Sequence, residues 1–240
     1  MNRRSSIDAD GKDLPRSIGG RITDQLRVEI LRGDFAPGAR VSIKVLSERF
    51  NVSLSPLREA LTRLGSEGLL SSDEQRGFWI APVSASDHAE VTRLRISFER
   101  MALQEAILKG GIEWETRVMA ALYRMNRIDR SIGGAEAKEA WETAHRTFHV
   151  ELLAACDMPL LLQFVALLHG LSDRYRRIFL ASNPPDKSSA LEHERIADFA
   201  VSRRNEEAVD LLGKHIERTG NAVRKKLMAT KQTIDVSNDK

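Results

Sequence analysis

The segment from Ser42 to Pro82 most constrains how this chain can fold. Apolar residues recur at helical spacing up to Phe50, and the turn-forming residues 51–53 then interrupt the pattern. A second amphipathic stretch follows, and one of its faces carries Leu57, Ala60, Leu61 and Leu64. The segment therefore predicts two short helices that are joined by a tight turn.

The second of these helices has clear end signals, and a hairpin pattern follows it. Ser55 suits the N-cap and Pro56 the first helical position, where these residue types are enriched. Gly68 would end the helix, and Leu69–Leu70 and Gly77–Ile80, separated by polar residues, predict two paired strands. Two helices followed by a hairpin form a winged helix-turn-helix, whose second helix enters the major groove of DNA.

This motif belongs to the first of two predicted domains. A further helix, from about Arg16 to Arg32, precedes it, and together they predict a DNA-binding domain over residues 15–82. Residues 83–86 would form a linker. Residues 87–228 then carry apolar positions at helical spacing, broken by glycine pairs and prolines.

The second domain shows no strand pattern, and its six helical stretches predict an all-α antiparallel bundle of six or seven helices. The fold class is therefore mainly α, with a winged helix-turn-helix of three helices and a small β-hairpin ahead of the bundle. The polar ends of the chain, residues 1–14 and 229–240, are expected to be disordered.

Composition excludes several classes of protein. The chain has 37 Lys and Arg against 34 Asp and Glu, so DNA binding must be argued from the motif and not from bulk charge. The single cysteine, Cys156, rules out an internal disulfide framework. No apolar run is long enough to span a membrane, and we expect a cytoplasmic protein without membrane partners.

The first domain resembles the DNA-binding domain of GntR-family bacterial transcription regulators. The resemblance covers roughly residues 16–82 and is carried by the stretch LSERFNVSLSPLREALTRLGSEGLL, with RGFWIAPVS after it. It implies that the DNA-facing positions are Lys44, Leu54, Ser55 and Arg58, with Arg76 and Gly77 at the tip of the wing.

The chemistry of these residues fits contacts with DNA. Arg58 can bind guanine through two hydrogen bonds, and Ser55 and Lys44 can bind phosphates. Gly77 lets the wing backbone approach the minor groove closely. Leu54 departs from the family, which commonly has arginine there, and this departure predicts an atypical operator. The alternative for each arginine is a solvated helix face.

Four of the six histidines form a pattern that is typical of a metal site in a helical bundle. His145 and His149 are four residues apart on one helix face, which also carries the apolar Trp141 and so should point inward. His193 and His215 follow on the next helices of the bundle. Histidines that converge from several helices can bind a metal ion. The alternative is a set of structural core histidines.

The second domain resembles the FCD ligand-binding domain that accompanies the FadR-like branch of GntR regulators. Metal-binding members of that family use one aspartate and three histidines, and His149, His193 and His215 match the histidines. His145 stands at the aspartate position, which favours zinc or nickel and an anionic effector. Without metal, the same histidines could bind effector carboxylates directly. No Glu or Asp is placed as an obvious general base beside them, which weighs against an enzyme.

Three further residues are candidates for effector binding. Arg95 and Glu99 match the Arg-x-x-x-Glu pattern of FCD domains, in which the arginine takes an effector carboxylate. The alternative is a surface salt bridge between them. Arg174 and Tyr175 are candidates for the other end of an acid, or else belong to a solvated basic helix end.

Within this family, the stretch that begins HRTFHVELLAAC looks closest to regulators of the CsiR type, which respond to a short dicarboxylate such as glutarate. We therefore expect a homodimeric repressor that leaves a pseudo-palindromic operator in double-stranded DNA when a small carboxylate binds. Two alternatives stay open, a metal-dependent helical enzyme with a DNA-binding appendage and an activator of the same architecture.

Overall fold

The structure is a computed structural model that describes residues 17–73, 77–130, 132–180 and 187–238. This part of the chain contains nine α-helices, one 3₁₀ turn and three short strands. The predictions made for the tail at residues 1–14 and for Arg76 lie outside it.

Contacts within the chain divide it into two units. The first comprises residues up to Ser84 together with Gly170–Phe179, and the second comprises Ala85–His169 with the residues from Leu180 onward. The break after Ser84 falls inside the linker expected at residues 83–86.

The first unit is a winged helix-turn-helix. Its helices are α1 (Ile18–Arg32), α2 (Ile43–Phe50) and α3 (Leu54–Ser66), and its strands are β1 (Arg40–Val41), β2 (Leu70–Asp73) and β3 (Gly77–Ile80). The strands form an antiparallel sheet in the order β1-β3-β2, with Leu70 opposite Ile80 and Val41 opposite Phe78. One face of α3 is buried against α1 and the sheet through Leu57, Ala60, Leu61 and Leu64.

Two details of this unit differ from the sequence prediction. The helix α3 begins at Leu54 with Ser53 as the N-cap residue, two positions before the predicted cap at Ser55. Pro56 therefore lies within the first turn, where the backbone N–H groups have no helical partner and proline is tolerated. The strand β1 was not predicted, because two residues are too short to show an alternating pattern.

The second unit is an all-α bundle, as predicted. Its helices are α4 (Ala85–Lys109), α5 (Ile112–Asn126), α6 (Gly134–Leu153), α7 (Pro159–Leu180), α8 (Lys187–Val201) and α9 (Asn205–Asn238), and of α7 the stretch Gly170–Phe179 belongs to the first unit. A 3₁₀ turn at Ala154–Cys156 follows α6. The core is built from one inward face of each helix and includes Leu103, Trp114, Phe148, Val165, Ile196 and Leu212.

The last helix is longer than expected. It continues to Asn238, so the described residues 229–238 are helical where the sequence predicts a disordered polar tail. That stretch contains neither glycine nor proline, so nothing in it stops a helix that is already formed. Among the described residues, no helix is both long and apolar enough to cross a membrane.

Candidate metal centre and DNA-contact surface

Four histidine side chains converge inside the helical bundle. His145 and His149 come from α6, His193 comes from α8 and His215 comes from α9. One ring nitrogen of each lies within 4.8 Å of the others. His149, His193 and His215 are buried, whereas His145 is partly exposed. The arrangement predicted from the histidine spacing is therefore present.

The distances between these nitrogens suit a tetrahedral metal ion. The Nε2 atoms of His145 and His149 are 3.2 Å apart, and those of His193 and His215 are also 3.2 Å apart. Two nitrogens bound to one tetrahedral zinc at its usual bond length of about 2.0–2.1 Å are separated by roughly 3.3 Å. Each of these two pairs thus has the separation that such an ion requires, and the four ring nitrogens all lie within 4.8 Å of one another.

The electrostatics of the cluster favour neutral imidazoles, which are the form that binds metal. Burial lowers the pKa of His149 well below its ordinary value, and repulsion from His193 and His215 lowers it further. His149 is therefore neutral near pH 7 and can offer a lone pair.

A carboxylate lies behind one of the histidines. His215 Nδ1 is 2.8 Å from Glu192 Oε2, and Arg218 donates to the same oxygen at 2.7 Å. Burial alone would raise the pKa of Glu192, but its bonds to His215 and Arg218 outweigh burial and lower it. A charged Glu192 holds the hydrogen of His215 on Nδ1. The Nε2 atom of His215 therefore faces the cluster as an acceptor, as in many metal-bound histidines.

A second carboxylate, that of Glu99 on α4, lies behind His149. Its side chain is fully buried, and Oε2 lies 3.9 Å from His149 Nδ1. Oε1 accepts from Arg95 Nε at 2.7 Å and lies 2.9 Å from His169 Nε2. Glu99 Oε2 and His149 Nδ1 have no hydrogen-bond partner among the described residues, although each is buried.

The charge of Glu99 is strongly stabilised. Burial would raise its pKa, but the guanidinium of Arg95 and the neighbouring His169 outweigh burial and hold the pKa at about 2. The Arg95 and Glu99 side chains are only 12% and 0% exposed, so the alternative of a surface salt bridge is wrong.

The sequence suggests no obvious general base beside the histidines, whereas the structure places two carboxylates behind them. Glu192 directly precedes His193, so the sequence held that signal. The packing of His169 on α7 against Glu99 on α4 could not be predicted from a lone histidine.

A ring stack and a small cavity border the cluster. The Trp141 ring stacks on His145 with centroids 4.8 Å apart and an interplanar angle of 18°. The guanidinium of Arg130 lies 4.2 Å from the centre of the Trp141 ring. A cavity of about 150 Å³ is lined by Trp141, Arg130 and His193 among others, so one candidate ligand contributes to its wall.

The remaining two effector candidates bind backbone atoms at the end of the predicted DNA-binding domain and in the linker. Arg174 donates to the carbonyl oxygens of Ala81 and Pro82, and the Tyr175 hydroxyl accepts from the N–H of Ser84 at 3.2 Å. Burial lowers the pKa of Arg174. Both side chains are buried in the first unit, and their binding to an effector stays a prediction.

The predicted DNA-contact residues lie on the outside of the first unit. Lys44 on α2 and the three predicted residues of α3 (Leu54, Ser55 and Arg58) are all exposed. Gly77 opens β3 with a φ of +108°, a conformation that strains other residues, and a Cβ there would meet nothing within 4 Å. These side chains are thus available to a partner in solution.

Family models match both parts of the chain. The model of bacterial regulatory proteins of the gntR family matches residues 19–80, and the FCD domain model matches residues 90–218.

Two curated bacterial proteins are similar along most of their length. The uncharacterized HTH-type transcriptional regulator BphR of Paraburkholderia xenovorans (strain LB400) is 33% identical over 222 residues, which cover 90% of this chain and 91% of that protein. The HTH-type transcriptional repressor GlaR of Escherichia coli (strain K12) is 28% identical over 197 residues, covering 80% of this chain and 89% of that protein.

Solved structures share the fold. E. coli McbR/YncC superposes with a TM-score of 0.74 at 19% identity, over 88% of this chain and 99% of that one. The structure titled a putative transcriptional regulator GntR from Rhodococcus sp. RHA1 has a TM-score of 0.71 at 22% identity, over 87% of this chain and 98% of that one. At this level of identity the likeness concerns the fold.

Proposed function

Because the chain belongs to the gntR family of bacterial regulatory proteins and carries an FCD domain, it is a transcriptional regulator, and we propose that it acts as a repressor. In this proposal the first unit binds a pseudo-palindromic operator. A small carboxylate then binds beside a metal ion in the helical bundle, and its binding releases the protein from the operator. The four converging histidines carry the proposal most directly, because they give the helical domain a built ligand site.

The exposed residues of α2 and α3 support operator binding. Arg58 and Lys44 are exposed, and in this proposal Arg58 binds a guanine through two hydrogen bonds and Lys44 binds a phosphate. Selection of duplexes from a random DNA library by the full-length protein tests this part. Arg58→Ala should weaken binding and relax the preference at one base pair, whereas Lys44→Ala should weaken binding to every sequence and reduce its salt dependence.

The histidine geometry supports a zinc or nickel ion. Nitrogen ligands suit both ions, and the 3.2 Å separations of the Nε2 atoms suit tetrahedral zinc best. After dialysis against zinc, we expect one ion per chain by elemental analysis, and none in a His149→Ala, His193→Ala double variant. Retention of a full equivalent by the double variant would place the ion elsewhere.

The charges around the cluster support an anionic effector. The carboxylates of Glu99 and Glu192 offset the guanidinium groups of Arg95 and Arg218, so a divalent ion among the histidines would add positive charge to the site. A dicarboxylate such as glutarate would neutralise that charge. A guanidinium such as that of Arg95 can bind a carboxylate, and zinc can accept a further ligand.

Apolar side chains on the outside of the bundle support a homodimer. On α4 they are spaced seven residues apart, at Leu94, Met101 and Leu108. On α7 they are spaced four and three residues apart, at Leu160, Phe164 and Leu167. The Phe98 and Phe164 rings are 6.2 Å apart, so the two faces adjoin. Sedimentation should show a dimer, and Phe164→Glu should shift it towards monomer, because a charge would be buried unpaired in the interface. As a control, Val150→Glu introduces the same charge at an exposed position on α6 and should leave the dimer intact.

The repressor proposal is tested by coupling effector binding to operator binding. A thermal-shift screen of short mono- and dicarboxylic acids with zinc-loaded protein identifies the acids that bind. An acid that binds should then lower operator affinity, and Arg95→Ala should remove the thermal shift. A variant that kept its full shift would exclude Arg95 from the effector site.

A further inference from the structure

Leu54 is an apolar side chain at an unusual place in the helix-turn-helix. It is the first residue of α3, after the N-cap Ser53, and it is 53% exposed. The buried face of α3 uses other leucines, so Leu54 contributes nothing to the core of the unit. Ser55 and Arg58, which follow Leu54 by one and four residues, are exposed as well.

The position of Leu54 determines what it meets when α3 is in the major groove. Residues at the N-terminal end of a recognition helix contact the edges of bases. All four bases present hydrogen-bonding groups there, and leucine would displace water from these groups without forming a replacement bond. Thymine alone presents a methyl group. A leucine at this position therefore discriminates by apolar contact.

On this basis we infer that Leu54 is a specificity-determining residue that reads the C5-methyl group of a thymine in each operator half-site. The inference rests on the proposed function, because it requires α3 to bind DNA through its N-terminal end. It assigns a chemical preference to the position where related regulators commonly carry arginine.

The spacing between Leu54 and Arg58 locates this thymine. The two residues are one helical turn apart, which is about 6 Å along the axis. Successive base pairs are about 3.4 Å apart. The thymine read by Leu54 and the guanine read by Arg58 should therefore lie within about two base pairs of each other, on either strand.

The test uses the full-length protein and removes one methyl group from the DNA. Duplexes selected from a random library define the half-site, and each thymine is then replaced in turn by uracil, which lacks only the methyl. One replacement should weaken binding about fourfold, the value of one buried methyl group, and replacement in both half-sites should weaken it roughly fifteenfold. Replacement of thymines outside the contacted pairs is the DNA control.

Variants of the protein assign the effect to Leu54. Leu54→Ala should bind the thymine and uracil operators with affinities that differ by less than about 1.5-fold, and its salt dependence should equal that of the unaltered protein because no phosphate contact is lost. Leu191→Ala removes an equally exposed leucine from α8 and should keep the fourfold discrimination. Leu54→Arg should select guanine at the same position.

Several results would overturn the inference. They are a half-site without thymine near the guanine that Arg58 reads, equal binding of thymine and uracil at every position, or full discrimination by Leu54→Ala. In each case sequence-selective binding would still uphold the proposed function. If the full-length protein selected no sequence over random DNA, the proposed function and the inference would both be wrong.

Discussion

The buried carboxylate of Glu99 gives the helical unit a specific dependence of stability on pH. Its pKa is held at about 2, against an ordinary value of 4.5, so the folded protein binds a proton at this site less readily than the unfolded chain. Charged Glu99 therefore stabilises the fold fully above about pH 4.5. This contribution is lost as the pH falls towards 2.

The size of the effect follows from the two pKa values. A difference of this size corresponds to about 3 kcal/mol in the free energy of unfolding, since one pKa unit is worth about 1.4 kcal/mol. About 2 kcal/mol of it is lost between pH 5 and pH 3. Glu99→Gln removes the charge and leaves Arg95 and His169 without their anionic partner, which typically costs about 3–5 kcal/mol at neutral pH.

Urea denaturation of the metal-free protein, in the presence of a chelator, measures this directly. We expect Glu99→Gln to be less stable than the unaltered protein at pH 7, and the gap to narrow by about 2 kcal/mol between pH 5 and pH 3. Glu90→Gln, an exposed position on the same helix, should change stability by less than about 0.5 kcal/mol at every pH. Parallel stability curves for Glu99→Gln and the unaltered protein would refute the reasoning.

Three further predictions concern other contacts. A Cβ on Gly110 would lie 2.3 Å from the Trp114 ring, so Gly110→Ala should lower the free energy of unfolding, measured by urea denaturation, by about 1–3 kcal/mol. A Cβ on Gly111 would meet nothing within 4 Å, so Gly111→Ala should not lower it in this way. Glu192→Gln should weaken zinc binding about 10–100-fold in calorimetric titrations, and unchanged affinity would show that this carboxylate does not orient its histidine. Tyr175→Phe should destabilise the protein by about 1 kcal/mol through the lost bond from the linker amide, and equal melting curves would contradict that bond.

The sequence predicted those parts of the structure that depend on local pattern. The face of α3 that carries Leu57 and Leu61 was readable because apolar residues at helical spacing must be buried. The four-residue spacing of His145 and His149 likewise predicted two ring nitrogens on one face, now 3.2 Å apart. The start of α3 at Leu54 was missed, because two serines in this stretch can serve as caps.

Contacts between distant helices could not be predicted in this way. The burial of Glu99 against His169 depends on how α4 and α7 pack, and no local pattern reports the packing partner. The basic side chain of Arg174 was open to a solvated or a ligand-binding interpretation. In the structure Arg174 instead donates to the carbonyl oxygens of Ala81 and Pro82. A charged side chain in a mixed sequence does not reveal which polar group it will meet.

Operator affinity in the presence of an effector tests the proposed repressor most directly. Fluorescence anisotropy at fixed salt would measure the dissociation constant of zinc-loaded protein for the selected operator. The constant would be compared with and without an acid that raises the melting temperature of the protein. We expect the acid to weaken operator binding at least tenfold, and to have no effect on the His149→Ala, His193→Ala double variant. An acid that binds and stabilises the zinc-loaded protein but leaves operator affinity unchanged would contradict the proposal.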